Sequence, residues 1–295
     1  MTTTAPPPRG LVEMVLPDGR AVLTLCRDNT AIAYGEIFSE RIYELFGITL
    51  DEGATVIDVG ANIGLAVIWV GDRIAHGTVH AVEPIPATFA ALEANVARHV
   101  RLDVHLHAAG ASNRAGTAEF TFYPLTSTSS SMYPDDSAAA HAESRAFIRA
   151  DIDKRLGWLV RLVPGWILDR VAERIRRHYQ AAVTVPCRLL RISDLVTAHH
   201  IERVDLLKID VEGAEFDAVA GIDAAHWPRI RQVIVEVHEG TAACDRMEAL
   251  LAAAGFTTAR FQQAPAIFPR HWLVYARRPA AATSVAHAHT EECLS

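Results

Sequence analysis

From Thr55 onward the apolar positions fall into two alternating patterns. Thr55-Val-Ile-Asp-Val59 is a short, nearly continuous apolar run, and the apolar residues of Ile63 to Ile74 recur at helical spacing. Thr78-Val-His-Ala-Val82 repeats the run, Pro86 to His99 the helix, and Leu102 to His107 the run again. Pro86 suits the first turn of its helix, where a missing N–H costs nothing. Val204-Asp-Leu-Leu-Lys-Ile209, a helix from about Ala214, and Gln232-Val-Ile-Val-Glu-Val237 continue the series. An Ala-rich helix near Ala242–Ala254 then stops at Gly255, and Phe256–Gln262 with His271–Ala276 reads as a closing hairpin. Apolar strands alternating with helices predict a parallel sheet covered on both faces, a doubly wound α/β domain.

Four stretches stand outside that alternation. Residues 1–10, with Pro6, Pro7 and Pro8, read as a flexible arm, and 279–295 as a flexible Ala/Thr/His tail carrying His287 and His289. Residues 11–50 read as a preamble of short strands and a helix, with turn signals at Asp18-Gly19 and Asp28-Asn29. Within the main domain, 51–278, the segment 124–182 is an insertion: a serine-rich loop, then a largely helical stretch to about Tyr179.

Composition narrows the class. The chain has 295 residues, half of them hydrophobic and 21% charged, which excludes a disordered protein. A net charge of −7 argues against a nucleic-acid partner. Four cysteines without a C-x-x-C spacing predict neither a disulfide framework nor a structural zinc site, and point to the cytoplasm. No apolar run is long enough to span a membrane.

The chemistry begins at Asp58-Val-Gly60-Ala-Asn62-Ile-Gly64, between a strand and a helix. Gly60 and Gly64 permit a tight turn and a close ligand, beside a helix N-terminus. Glu83 ends the next strand, where a carboxylate accepts hydrogen bonds from the hydroxyls of an adenosine ribose. Asp58 would repel the pyrophosphate of a dinucleotide but suits a cationic amino group. S-adenosylmethionine (SAM) is therefore favoured over NAD, with Asp58, Gly60, Asn62, Gly64 and Glu83 as its binding residues. A second segment, Lys208-Ile-Asp210-Val-Glu212-Gly213-Ala-Glu215, ends a later strand, and Ile234-Val-Glu236-Val-His238-Glu239 ends the next. Both would bring their last residues to the same rim.

Together these segments resemble the FkbM family of SAM-dependent methyltransferases: D-V-G-A-N-I-G, then E-P, then K-I-D-V-E-G-A-E, with Tyr34-Gly-Glu-Ile-Phe38 fitting in the preamble. The resemblance covers about residues 15–125 and 183–277. It implies a Rossmann-like, mostly parallel seven-stranded sheet ending in an antiparallel hairpin, and methyl transfer, usually to a hydroxyl of a polyketide, peptide or glycosylated natural product. For proton removal His238 is the candidate base, because an ordinary histidine pKa lies near neutrality; the alternative is a rim histidine that only bonds a neighbour. Asp210 is a second candidate, as base, as positioning group, or as a ligand with Glu212 or Glu236 of a divalent ion such as Mg2+. Those acids would equally cap the following helix. Lys208 reads as structural, paired with a nearby acid.

The insertion is basic and apolar together, with nine Lys/Arg against five Asp/Glu over 141–180. Three readings stand: a lid over a lipophilic acceptor, an interfacial helix making peripheral membrane contact through 145–178, or a helical hairpin packed on the domain. On the first, Trp158 and Trp166, with Tyr133 from Ser129-Ser-Ser-Met-Tyr133, line the acceptor site. Competing functions are N-methylation or glycan or lipid methylation, an NAD(P)-dependent oxidoreductase, and a non-catalytic adenosine-binding protein.

Overall fold

The computed structural model describes residues 10–126, 130–135, 137–179, 181–263 and 270–279, with the backbone alone at 160 and 161. Ser129, His287 and His289 lie outside the described residues, as does all but the last residue of the N-terminal arm.

The preamble opens with a hairpin of β1 (Val12–Val15) and β2 (Ala21–Thr24), turned at Gly19 with φ +88°. Helix α1 (Arg27–Tyr34), a π-helical turn (Gly35–Ser39) and a 3-10 segment (Ile42–Gly47) follow. Asp28-Asn29, expected as a turn, lies inside α1. Turn formers and the first residues of a helix share a composition, because an acidic side chain there meets the positive end of the helix dipole.

The main sheet has seven strands: β3 (Ala54–Val59), β4 (Gly77–Val82), β5 (Asp103–His107), β9 (Leu206–Ile209), β10 (Gln232–Val237), β11 (Thr257–Gln262) and β12 (Trp272–Arg277). Their spatial order is β11-β12-β10-β9-β3-β4-β5. The five central and edge strands from β10 to β5 run parallel, and β12 joins β10 and β11 antiparallel. The chain leaves β3 to build outward through β4 and β5, then returns to lay β9 against the other side of β3. That reversal opens a crevice at the strand C-termini, where open α/β sheets bind ligands.

Strand periodicity divides the core. Ala54 and Val56 of β3 pack with the preamble, α2 (Leu65–Gly71) and α3 (Pro86–His99). Ile57 and Val59 face the other layer, with α6 (Ile192–Ala198), α7 (Glu215–Ala220) and α8 (Thr241–Ala253). The preamble is thus built into one core, and buried Asn95 of α3 fastens it. Its side chain accepts from Leu23 N–H at 2.7 Å and donates to the carbonyls of Leu23 and Ile63, both at 2.9 Å.

A second, three-stranded sheet was not expected: β6 (Gly110–Ala111), β8 (Val183–Leu190) and β7 (Gly116–Phe122), in that order. Phe120, Phe122, Cys187 and Leu189 pack beneath it against Ile85. Pro186 in β8 lowers the strand signal there, since proline gives no ladder donor. Between β7 and β8 rise two helices, α4 (Ala138–Leu156) and α5 (Gly165–Tyr179), joined by a 3-10 segment (Gly157–Leu162). Cys26, Cys187 and Cys244 are free thiols, and among the described residues no helix is long and apolar enough to cross a membrane.

Replacing Asn95 with Leu leaves two carbonyls and one N–H without their partner inside the core. We expect a loss of about 3 kcal/mol in unfolding free energy. Urea titration measures it, with exposed Asn113→Ala, which loses only a bond to Asp217, as the near-neutral control.

Candidate active site

Two loops meet at the switch point, one after β3 and one after β9. Gly60 has φ +79°, and a Cβ there would sit 1.7 Å from the carbonyl oxygen of Asp210. Glycine is thus required because the two loops touch. Gly64, expected beside the cofactor, instead packs on α3: a Cβ would lie 2.8 Å from Leu92, and Gly64 lines neither cavity described below. Asn62 takes the left-handed conformation at φ +49°, which asparagine tolerates better than most residues.

Asp58 and Lys208 are directly opposed across β3 and β9 and point to the same face. The Lys208 ammonium donates to Asp58 Oδ1 at 3.0 Å and to the Gly60 carbonyl at 3.2 Å, and lies 3.5 Å from Asp210. Burial works against its charge, but Asp58, Tyr43 and Asp210 outweigh that and hold it well above the usual lysine range. Asp58 is buried, lines neither cavity, and keeps Oδ2 without a hydrogen bond.

Glu83 ends β4 with its carboxylate fixed by two backbone donors, Asn62 N–H at 3.0 Å and Ile85 N–H at 2.9 Å. Burial pushes its pKa up to about 7 despite those bonds. It lines a narrow pocket with Gly60, Asn62, Ile85, Ala109, Gly110 and Ala111.

Beyond that pocket opens a cavity of about 1110 Å³, and both share Gly60, Asn62, Asp210 and Glu212. Glu236 in β10 and His238 just past its end are two residues apart, so both project to one side; Asp210 and Glu212 reach them from the loop after β9, where Glu212 and Gly213 are left-handed. His238 Nδ1 is bonded to buried Glu215 Oε1 at 2.7 Å, while Nε2 lies 3.5 Å from both Glu212 and Glu236. Burial opposes charge on this ring, yet Glu212 and Glu215 outweigh it and hold the imidazole well above the usual histidine range. These carboxylates thus favour the protonated ring, and the free-base argument from an ordinary histidine pKa does not carry over. The ligand sets that converge are Asp210, Glu212 and His238, and Glu236, His238 and His271, each with donor atoms within 4.8 Å of one another. The expected pairing of Asp210 with Glu212 falls in the first set, Glu236 falls in the second, and His238 is common to both.

One acid was missed. Glu36 lines the same cavity, and burial, with Glu236 and Asp210 adding repulsion, pushes it up to about 8. It sits in the π-helical turn, a local widening that recurs at functional sites but has no simple sequence signal.

The roof comes from the insertion, but not from its tryptophans. Trp158 and Trp166 are 70% and 63% exposed and are not among the cavity-lining residues. They sit at the tip where α4 turns into α5, whereas Phe147, Ile148 and Ile152 of α4, with Ile175 and Tyr179 of α5, face the cavity at helical spacing. Arg270 clamps the roof, with two bonds to Glu143 at 3.0 Å and one to Asp135 at 2.9 Å. Tyr133 stands at the rim with its hydroxyl donated to Asp217 at 2.7 Å, and the Ser131 hydroxyl donates to the Glu212 carbonyl.

The chain is similar in sequence to known proteins. The family model described as the methyltransferase FkbM domain matches residues 58–258. The chain is 36% identical over 242 residues to the 31-O-demethyl-FK506 methyltransferase FkbM of Streptomyces tacrolimicus, covering 82% of this chain and 87% of that protein. It is 33% identical over 282 residues to the AMB antimetabolite synthetase AmbE of Pseudomonas aeruginosa, covering 93% of this chain but only 13% of that much longer protein. A crystal structure of methyltransferase FkbM from Methylobacillus flagellatus KT aligns with 14% identity and a TM-score of 0.45, covering 79% of this chain and 46% of that one. With its seven-stranded sheet and its matched 58–258 segment, this chain belongs to the FkbM methyltransferase family.

Proposed function

We propose that the protein is a SAM-dependent O-methyltransferase acting on a hydroxyl of a bulky small molecule of natural-product type. The observation that carries this reading is the shared rim: the narrow pocket over Glu83 and the 1110 Å³ cavity meet at Gly60, Asn62, Asp210 and Glu212. A cofactor held in the first would present its reacting end to a ligand held in the second. The residues present fit SAM, since Glu83 is a carboxylate already oriented for a ribose diol, and Asp58 keeps an unpartnered buried oxygen behind the turn. When bound, SAM would supply an electrophilic methyl carbon on a sulfonium, open to in-line displacement with the neutral thioether S-adenosylhomocysteine as leaving group.

The chain's own task is alignment and proton removal. Phe147, Ile148 and Ile152 shed water from the cavity and hold an apolar acceptor body. Its volume exceeds that of ordinary drug-sized pockets, which suits a large acceptor. The relative from Streptomyces tacrolimicus is named for methylation at an oxygen, which supports the hydroxyl target. Asp210, Glu212 and His238 would hold a divalent cation such as Mg2+, whose binding would displace the proton from the ring, with Glu215 fixing the far side of that ring as carboxylates do behind ligating histidines. Such a cation would lower the pKa of a hydroxyl bound to it, and Glu236 stands within the cavity to accept the released proton.

Calorimetry is expected to show binding of SAM and S-adenosylhomocysteine and none of NAD+. Glu83→Ala should weaken SAM roughly tenfold to a hundredfold, the worth of one hydrogen bond to a charged group. Unchanged affinity would remove Glu83 from the ribose.

EDTA treatment should leave SAM affinity intact and lower turnover of labelled methyl into a hydroxylated acceptor at least tenfold, with recovery on adding Mg2+ or Mn2+. His238→Ala should behave as the EDTA-treated enzyme does. A turnover indifferent to EDTA would exclude the cation and leave proton removal to the side chains alone.

A further inference from the structure

Four histidines gather outside both cavities of this site, on the sheet face covered by α6. His80 of β4 is paired in register with His105 of β5, and His107 lies two residues along the same strand. His199 follows the last residue of α6 and lays its ring across all three. His80 is buried, His107 half-buried and His199 exposed. Neither cavity of the methyl-transfer site includes any of them.

The spacing of the ring nitrogens is informative. His80 Nδ1 and His107 Nε2 are 3.3 Å apart. Two nitrogens bound tetrahedrally to zinc, each at 2.0–2.1 Å, are separated by about 3.3 Å. Donor atoms of His80, His107 and His199 all lie within 4.8 Å of one another, so closing on one ion needs only a small rotation of the exposed ring. His105 stacks flat on His80 at 4.8 Å, with its Nε2 3.3 Å from Asp103, which places a carboxylate-held ring beside the set. Burial, with the other imidazoles adding repulsion, pushes His80 down to about 3 and His107 to about 4. The two facing nitrogens share a hydrogen bond, and a neutral imidazole has one lone pair, so an ion would replace the proton between the rings by selecting the tautomer that frees both nitrogens.

We propose that His80, His107 and His199 form a second metal site, for a divalent first-row transition metal with Zn2+ as the expected occupant, separate from the methyl-transfer centre. An all-imidazole set suits Zn2+, Cu2+ or Ni2+ and is unsuited to Mg2+, which prefers oxygen. Three protein ligands leave a fourth position open to solvent. The ion would pin the end of α6 to β5, the edge strand of the sheet. Ligands come from two strands and a helix end, so binding stabilises the folded chain. The proposal involves neither methyl donor nor acceptor, and stands whether or not the preceding assignment holds.

The test uses untagged full-length protein stripped with EDTA and titrated with Zn2+, read by calorimetry and by the thermal midpoint. A His238→Ala background removes the histidine shared by the active-site donor sets, while the tail histidines His287 and His289 stay common to every sample. In that background we expect one tight equivalent of Zn2+ and a rise in midpoint. His199→Ala should lower the affinity of that equivalent at least tenfold and abolish the rise, and His107→Ala should do the same. His199 is exposed at a helix end, so its variant retains the fold; circular dichroism of both variants checks this. Equal Zn2+ affinity and equal thermal shift with and without His199 and His107 would overturn the proposal, as would a parent that takes up no zinc.

Discussion

A lysine and an aspartate buried side by side between β3 and β9 hold the site in shape. Neither charge is tolerable alone in that layer: removing one partner of a buried pair typically costs about 3–5 kcal/mol. Lys208 also reaches the Gly60 carbonyl and stands close to Asp210, so a single ammonium ties together both loops at the strand ends. Gly60 completes the joint by letting the backbone of Asp210 approach where no side chain fits. Asn62 then presents its N–H to Glu83 across the turn. The pocket floor, the shared rim and the acids beyond it all take their positions from this contact.

The cavity on the far side of the rim is rich in acids that have been taken out of water. Burial pushes Glu36 and Glu212 up to about 8, with neighbouring carboxylates adding to the shift and His238 opposing it at Glu212. A protein sustains such crowding where a ligand brings positive charge, and a sulfonium cofactor and a divalent cation are two that do. Glu215 adds order to the crowding: buried, it accepts from the Gly213 N–H at 2.8 Å and holds His238, joining the loop after β9 to the end of β10. The roof is held by a different device, the fork of Arg270 on Glu143, which ties α4 to the chain entering β12.

What could be read from the sequence follows from burial. β10 and α3 have the bounds the pattern predicts, because a strand covered on both faces and a helix opened by proline leave strong periodic signals. Asp58, Glu83, Asp210 and His238 stand out in the sequence as candidates for a related reason: each is a polar residue interrupting or ending an apolar run. Glu36 had no such contrast, since it lies in a preamble whose backbone widens locally. Trp158 and Trp166 misled because large aromatics suggest a binding face, whereas helical phase puts smaller residues there and leaves the tryptophans at the hairpin tip. The cluster of His80, His107 and His199 was invisible, its members being separated by more of the chain than any spacing rule spans.

The measurement closest to the centre of this account is a crystal structure of the complex with S-adenosylhomocysteine. The ribose hydroxyls should lie within hydrogen-bonding distance of Glu83, and the sulfur at the rim formed by Gly60, Asn62, Asp210 and Glu212, facing the large cavity. A nucleoside bound with its ribose away from Glu83, or its sulfur turned from that cavity, would contradict the assignment of both pockets.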